Sequence, residues 1–89
     1  MRHAAKADEN QQRIVEALRC VGATVEHLSP ARKGGCPDLL VGYQGQNYLL
    51  EVKREKQRLN ERQYKWHKGW RGMVAVVRNP GDALDVIGL

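Results

Sequence analysis

The chain has 89 residues, a formal net charge of +5 and a sequence pI of about 9.6. This length fits a single small domain, 1–89, and no apolar run approaches the ~18 residues of a membrane-spanning helix, so we expect no membrane partner. Two cysteines without metal-ligand spacing, and no apolar leader, indicate a reduced, intracellular protein without a disulfide. The basic balance is compatible with a polyanionic partner, although many small basic proteins have none.

The N-terminal part of the chain predicts a leader followed by a helix. Residues 1–7 have no hydrophobic periodicity and are predicted to form a loose, basic leader. Apolar residues then recur at helical spacing, which predicts an amphipathic helix over residues 8–21 that ends at Gly22. The positions that carry this pattern are Ile14, Val15, Ala17, Leu18 and Val21.

A short strand, a loop and a hairpin are predicted next. Residues 23–28 are β-prone, and residues 29–36, with several glycines and basic residues, predict a mobile loop. Two apolar runs, 38–43 and 47–53, are joined by Gln44-Gly45-Gln46. We therefore expect a hairpin with a three-residue connection.

The C-terminal part predicts a helix, a strand and a short helix. Asn60 and Gln63 form a capping-box pattern, which starts a second helix that ends near Gly72. Residues 73–78 are a near-continuous apolar run, typical of a strand buried on both faces, and residues 82–87 predict a helical turn or two. The order αβββαβ, followed by this short helix, predicts an α/β fold in which helices flank a mixed central sheet.

Three charged residues of the predicted hairpin carry the strongest chemical signal. Asp38 follows Pro37 at the start of one arm, and Glu51 and Lys53 lie near the end of the other, on one face and about 6–7 Å apart along the strand. Carboxylates are the hard oxygen ligands that Mg²⁺ or Mn²⁺ prefers, and an ammonium beside such an ion can orient a water and offset charge on a phosphate. The pattern predicts metal-dependent phosphodiester hydrolysis.

The same residues also have structural explanations. A Glu-x-Lys pair on a strand is commonly a surface ion pair, and Asp38 could cap the turn after Pro37. The apolar neighbours Leu49, Leu50 and Val52 favour a buried strand instead. Charged groups seldom enter such surroundings unless they are paired, metal-bound or functional.

A basic segment, 53–71, holds eight basic residues against two acidic ones. Such a run is either a solvated face or a surface that binds backbone phosphates. The candidates for nucleic-acid contact are Arg54, Lys56, Arg58, Arg62 and Lys65, with Arg32 and Lys33 in the preceding loop.

Aromatic residues and a histidine lie in the second predicted helix. Trp66 and Trp70 share a stripe with Leu59 and Gln63, and we expect this stripe to pack, with part of it exposed for self-association, rather than to stack on bases. His67 is expected to be solvated, because no metal-spaced partner accompanies it.

Two runs, GCPDLL at 35–40 and YLLEVK at 48–53, together with the helix 63–66, resemble the VRR-NUC branch of the PD-(D/E)XK nuclease superfamily, in its small standalone bacterial and phage form. The resemblance extends from the first helix through the strand that begins at Met73. It implies a restriction-endonuclease-like αβββαβ core.

The resemblance also implies roles for individual residues. Asp38 and Glu51, with the backbone carbonyl of Val52, match the ligands of a Mg²⁺ or Mn²⁺ ion. Lys53 matches the catalytic lysine. Gln63 falls where related nucleases place a glutamine near the site.

An acid from the first helix often completes the site in this family. Asp8, Glu9 and Glu16 are the candidates here, and Gln11 stands where an acid would also be expected. Glu9 is favoured. If no acid of this helix reaches the site, we expect one-metal chemistry.

The biological role implied by the resemblance is DNA recombination and repair in the bacterial cytoplasm. Small standalone members imply a homodimer that cuts branched DNA, with the four-way (Holliday) junction as the favoured substrate. One chain carries one set of catalytic residues, and a twofold dimer supplies the two sites that a paired cut needs. The alternatives are a nicking or flap endonuclease on the same fold and a non-catalytic nucleic-acid-binding module.

Overall fold

The computed structural model describes the backbone of residues 4–28 and 34–89, and the side chains of residues 9–28 and 34–89. The order of elements in these ranges confirms the predicted αβββαβ core with a short final helix. None of the helices in the described ranges is both long and apolar enough to span a bilayer. The elements are α1 (Ala4–Cys20), β1 (Thr24–His27), β2 (Leu39–Tyr43), β3 (Gln46–Val52), α2 (Glu61–Gly69), β4 (Val74–Val77) and α3 (Pro80–Val86).

Helix α1 begins earlier than the sequence predicts. It already includes Ala4, so the prediction of a loose leader is wrong for residues 4–7, and residues 1–3 lie outside the described ranges. Alanine and lysine are strong helix formers, and no glycine or proline separates residues 4–7 from the amphipathic part. The helix therefore extends towards the N-terminus. Its end is as predicted, because Gly22 follows with a φ of 93° that suits a helix C-terminus.

The hairpin connection is one residue shorter than predicted. Tyr43 pairs with Gln46, which makes Gln46 the first residue of β3 and leaves a turn of Gln44 and Gly45 alone. Both turn residues have positive φ, 50° and 79°. Two consecutive positive φ angles match the right-handed twist of the flanking strands, which favours the two-residue turn.

The sheet is mixed, as predicted, with the strand order β1-β2-β3-β4. β1, β2 and β3 are antiparallel neighbours, and β3 pairs with β4 in parallel. The prediction that the last strand is buried on both faces is wrong, because β4 lies at the sheet edge and only Val77 is fully buried there, while Val74, Ala75 and Val76 are half-buried.

The hydrophobic core lies on one face of the sheet. The strand register places Leu39, Val41 and Leu50 on that face, where they pack with Ile14 and Leu18 of α1. α3 completes this layer. Since side chains alternate between faces along a strand, the neighbours of Leu50 project from the opposite face. That face carries Glu51, the charged residue of β3, and the next residue in the alternation is Lys53, directly after the strand.

Candidate active site

The predicted site residues are buried in the structure. Asp38 is 4% exposed, Glu51 0%, Lys53 7% and Gln63 6%, and these four are the buried polar or charged residues in the described ranges. Surface ion pairs would be solvated, so burial weighs against a purely structural Glu-x-Lys pair. Burial of charged groups on this scale is costly unless they are paired or functional.

Asp38 joins the start of β2 to the end of β3. One carboxylate oxygen, Oδ2, accepts a hydrogen bond of 2.7 Å from the backbone N–H of Val52. In an antiparallel strand the N–H and C=O of a residue point to the same neighbouring strand, so the carbonyl of Val52 is directed to the side of Asp38. The Asp38 carboxylate, the Val52 carbonyl and the adjacent Glu51 therefore lie together at the end of the hairpin.

Gln63 fixes α2 over Glu51. Its backbone N–H and side-chain Oε1 form the predicted capping box with Asn60, at 2.8 and 2.9 Å, which starts the helix. The side-chain Nε2 lies 3.4 Å from Glu51 Oε2 and donates to it. One side chain thus both begins α2 and orients a candidate metal ligand.

Gly35 allows the segment before Asp38 to reach the first turn of α2. Its φ is 93°, and a Cβ added there would lie 2.6 Å from the backbone oxygen of Arg62. Only glycine has both the conformation and the space. This close approach holds the Asp38 segment against the helix that carries Gln63.

Lys53 is anchored through its backbone on both sides. Its N–H donates to Val77 O at 3.0 Å, and its carbonyl accepts from Asn10 Nδ2 of α1 at 3.3 Å. The same Asn10 amide donates to Arg78 O at 3.2 Å. Asn10 therefore binds α1 to the ends of β3 and β4, directly beside Lys53.

His67 lies at the site, and the prediction that it is solvated is wrong. Its side chain is 12% exposed, and its Nε2 is 3.7 Å from Glu51 Oε1. Burial, and secondarily the charge of Lys53, lower the pKa of His67. The ring is then neutral at neutral pH, so this approach is not an ion pair there. The signal for it was the four-residue spacing from Gln63, which places both side chains on one helix face.

The structure does not bring a described acid of α1 to Asp38 and Glu51. Glu9 is exposed and lines a concavity with Arg54 and Arg78, and Glu16 is exposed and accepts a 3.3 Å hydrogen bond from Gln12. Asp8 has no described side chain. The α1 position that reaches the end of β3 is occupied by Asn10.

The residues present nevertheless fit a divalent ion. Within the described ranges, no three acidic, histidine or cysteine side chains are close enough to hold an ion by themselves. Mg²⁺ and similar ions are usually bound by one or two carboxylates and complete their coordination with water. Asp38 and Glu51, with the Val52 carbonyl, supply such oxygens. The buried Nε2 of His67, which has no hydrogen-bond partner in the described part of the chain, lies beside them.

The predicted phosphate-binding residues lie on the surface where the structure describes them. Arg54, Lys56 and Arg58 are exposed in the segment between β3 and α2, and Arg62 and Lys65 are exposed on α2. Lys65 also makes an exposed ion pair of 3.9 Å with Glu61. Arg32 and Lys33 lie outside the described residues.

The tryptophan stripe is only partly packed. Trp66 is half-buried and stacks on Trp70 with ring centroids 4.7 Å apart, but Trp70 is 45% exposed. Trp70, Met73, Leu40 and Leu49 line an apolar cavity of about 380 Å³ on the sheet face opposite the core. The expectation that the stripe packs, with part of it exposed, is confirmed: Trp70 stacks on Trp66 and is the exposed part.

Known proteins share this fold and part of this sequence. No protein-family model matches the chain. In an alignment 56 residues long, which covers 53% of the chain, it is 41% identical to the Fanconi-associated nuclease 1 homolog of Arabidopsis thaliana, and it spans only 6% of the length of that protein. Its structure is similar to a solved VRR_NUC domain with a TM-score of 0.77 and 29% identity, covering 92% of this chain and 94% of the other. The chain is therefore similar to a VRR_NUC domain over nearly the full length of both chains, in fold and in part of its sequence.

Proposed function

We propose that this chain is a VRR-NUC domain and a metal-dependent DNA endonuclease that hydrolyses phosphodiester bonds. The observation that carries the proposal is the burial of Asp38, Glu51 and Lys53 together at the end of the hairpin. Burying two carboxylates and a lysine together is costly for a purely structural role, and they are the groups that metal-assisted hydrolysis of a phosphodiester requires.

Each residue has a role that follows from its surroundings. Asp38, Glu51 and the carbonyl of Val52 would hold Mg²⁺ or Mn²⁺, which supplies a bound water of lowered pKa and offsets charge on the phosphate. Gln63 keeps the Glu51 carboxylate in one orientation. Lys53, on the same face of the strand as Glu51, orients the attacking water and stabilises negative charge on the reacting phosphate.

Backbone phosphates are the groups that the exposed bases are placed to bind. These bases lie in the segment between β3 and α2 and in the first half of α2: Arg54, Lys56, Arg58, Arg62 and Lys65. Contacts of this kind do not depend on base sequence, so affinity would come from the phosphate backbone. Selectivity would then depend on the shape of the DNA.

A second copy of the chain is the partner that the apolar cavity at Trp70 favours. None of the described residues that line this cavity is charged, and an apolar surface of this kind is one that a second copy of the chain can cover. A twofold dimer would hold two active sites in fixed geometry. Two sites suit the paired cuts that resolve a four-way junction, and we propose this substrate.

Cleavage of labelled DNA, run beside a mass measurement in solution, tests the proposal. Duplex, flap and four-way DNA are incubated with the protein in Mg²⁺ or Mn²⁺, and both strands of each arm are mapped. We expect a dimer and symmetric paired cuts in the four-way junction. Cuts confined to one strand would favour the nicking or flap endonuclease, and binding without cleavage in either ion would favour the non-catalytic module.

A further inference from the structure

His67 adds a nitrogen to the site that the proposed hydrolysis does not use. It lies one helical turn after Gln63, and the two side chains face both oxygens of Glu51: Gln63 Nε2 lies 3.4 Å from Oε2, and His67 Nε2 lies 3.7 Å from Oε1. The Nε2 of His67 is buried and makes no hydrogen bond with any described residue. Buried polar atoms rarely lack a partner, so we expect this nitrogen to bind a group that the described part of the chain does not supply.

The distance from His67 to Glu51 distinguishes the two uses of an imidazole nitrogen. As a donor, Nε2 would hydrogen-bond to Glu51, but 3.7 Å is longer than a hydrogen bond. With the ring proton on Nδ1, Nε2 carries a lone pair and lies beside a carboxylate oxygen. A nitrogen and an oxygen side by side without a bond between them are suited to share one ion.

We propose that His67 Nε2 joins Glu51 as a ligand of the divalent ion and makes the site favour first-row transition ions, Co²⁺ and Mn²⁺, over Mg²⁺. The inference rests on the proposed metal site and adds its selectivity. Affinity for nitrogen ligands increases along the first transition row from Mn²⁺ to Co²⁺. Mg²⁺ prefers oxygen and gives up its waters reluctantly, so a nitrogen contributes little to its binding.

Ion binding to the purified protein without DNA tests the inference. Co²⁺ is followed by its visible absorption, Mn²⁺ by the electron paramagnetic resonance of the free ion, and Mg²⁺ by competition with Mn²⁺. His67→Ala removes the nitrogen, and His67→Gln removes it while keeping a polar, helix-forming side chain. His27→Ala is the matched control, because it removes an exposed imidazole from β1.

The expected result is specific to the ion. His67→Ala and His67→Gln should weaken Co²⁺ binding about tenfold or more and change its absorption band, with Mn²⁺ affected less and Mg²⁺ by less than about threefold. His27→Ala should change none of these. An equal loss for all three ions, or unchanged Co²⁺ binding, would overturn the inference.

Glu51→Gln separates this inference from the proposed function. If Glu51→Gln leaves the binding of every ion unchanged, the metal site itself is wrong and the proposed hydrolysis fails with it. If Glu51→Gln weakens all ions but the His67 variants show no ion-selective loss, only the selectivity assigned to His67 fails.

Discussion

Oδ2 of Asp38 accepts a hydrogen bond of 2.7 Å from the backbone N–H of Val52. This bond joins the residue before β2 to the last residue of β3, between Glu51 and Lys53. A candidate metal ligand is therefore part of the hydrogen bonding that closes the end of the hairpin. Because Asp38 is both a structural hydrogen-bond acceptor and a proposed metal ligand, substitutions must separate its charge from its hydrogen bond.

Asp38→Asn should separate the charge from the fold. An asparagine oxygen can still accept from Val52 N–H, so thermal stability should stay close to that of the unmodified protein, while cleavage falls about 100-fold or more. Asp38→Ala should lose cleavage and also about 1–2 kcal/mol of unfolding free energy, because the partly buried N–H of Val52 is left without its acceptor. Single-turnover cleavage and thermal melting measure the two effects. Normal cleavage by Asp38→Asn would disprove the role of the carboxylate.

Lys53→Met should abolish cutting and leave DNA binding nearly intact. The side chain is buried, so methionine replaces its length without placing a new group in solvent. We expect cleavage to fall about 100-fold or more, because the charge that stabilises the reacting phosphate is lost. Arg58→Ala is the opposite case. It should weaken DNA binding and lower the salt dependence of the binding constant by about one phosphate contact, while the cleavage rate of bound DNA stays unchanged. A gel-shift titration over salt concentration, with single-turnover rates, distinguishes the two classes.

Gln63→Glu and Gln63→Ala should damage the site in different ways. Glutamate keeps the capping box with Asn60 but places a second carboxylate beside Glu51, so the helix should remain stable while cleavage falls. Alanine loses the cap as well, and we expect a loss of about 1 kcal/mol, or roughly 4–8 °C in melting temperature. Circular dichroism melts and cleavage rates provide the comparison. Full activity of the glutamate variant would show that Gln63 does not orient Glu51.

Gly35→Ala should destabilise the protein where Gly34→Ala does not. A Cβ at Gly35 would lie 2.6 Å from Arg62 O at a φ of 93°, whereas no atom of the described residues lies within 4 Å of a Cβ at Gly34. We expect Gly35→Ala to cost about 1–3 kcal/mol and to reduce cleavage, since the Asp38 segment must move away from α2. Melting temperatures and cleavage rates of the two variants test this. Equal behaviour of the two alanines would contradict the close approach.

Trp70→Glu should convert the proposed dimer to a monomer. Trp70 is 45% exposed beside the apolar cavity, and a carboxylate on each side of a twofold interface would bring like charges into apolar surroundings. Tyr64→Glu is the control, because Tyr64 is 55% exposed on α2 and does not line the cavity. Light scattering of both variants measures the mass. A dimeric Trp70→Glu variant would place the interface elsewhere.

Local sequence signals predicted most of the fold because their physical causes are local. The capping box of Asn60 and Gln63 and the glycine that follows α1 act within a few residues and were found at their predicted places. The predictions of where α1 starts and of how deeply β4 is buried were wrong. Helix extension at Ala4 depends on the absence of a stop signal, and the burial of an edge strand depends on what covers it from elsewhere in the chain.

The sequence by itself determined which groups the proposed chemistry would use: two carboxylates and a lysine near the ends of one hairpin. Only the tertiary structure decided which other side chains meet them. It placed Asn10 rather than an α1 acid beside Lys53, and it brought His67 to Glu51. Both depend on how helices pack on the sheet, and the spacing of residues along a helix fixes its faces but not which strand each face will cover.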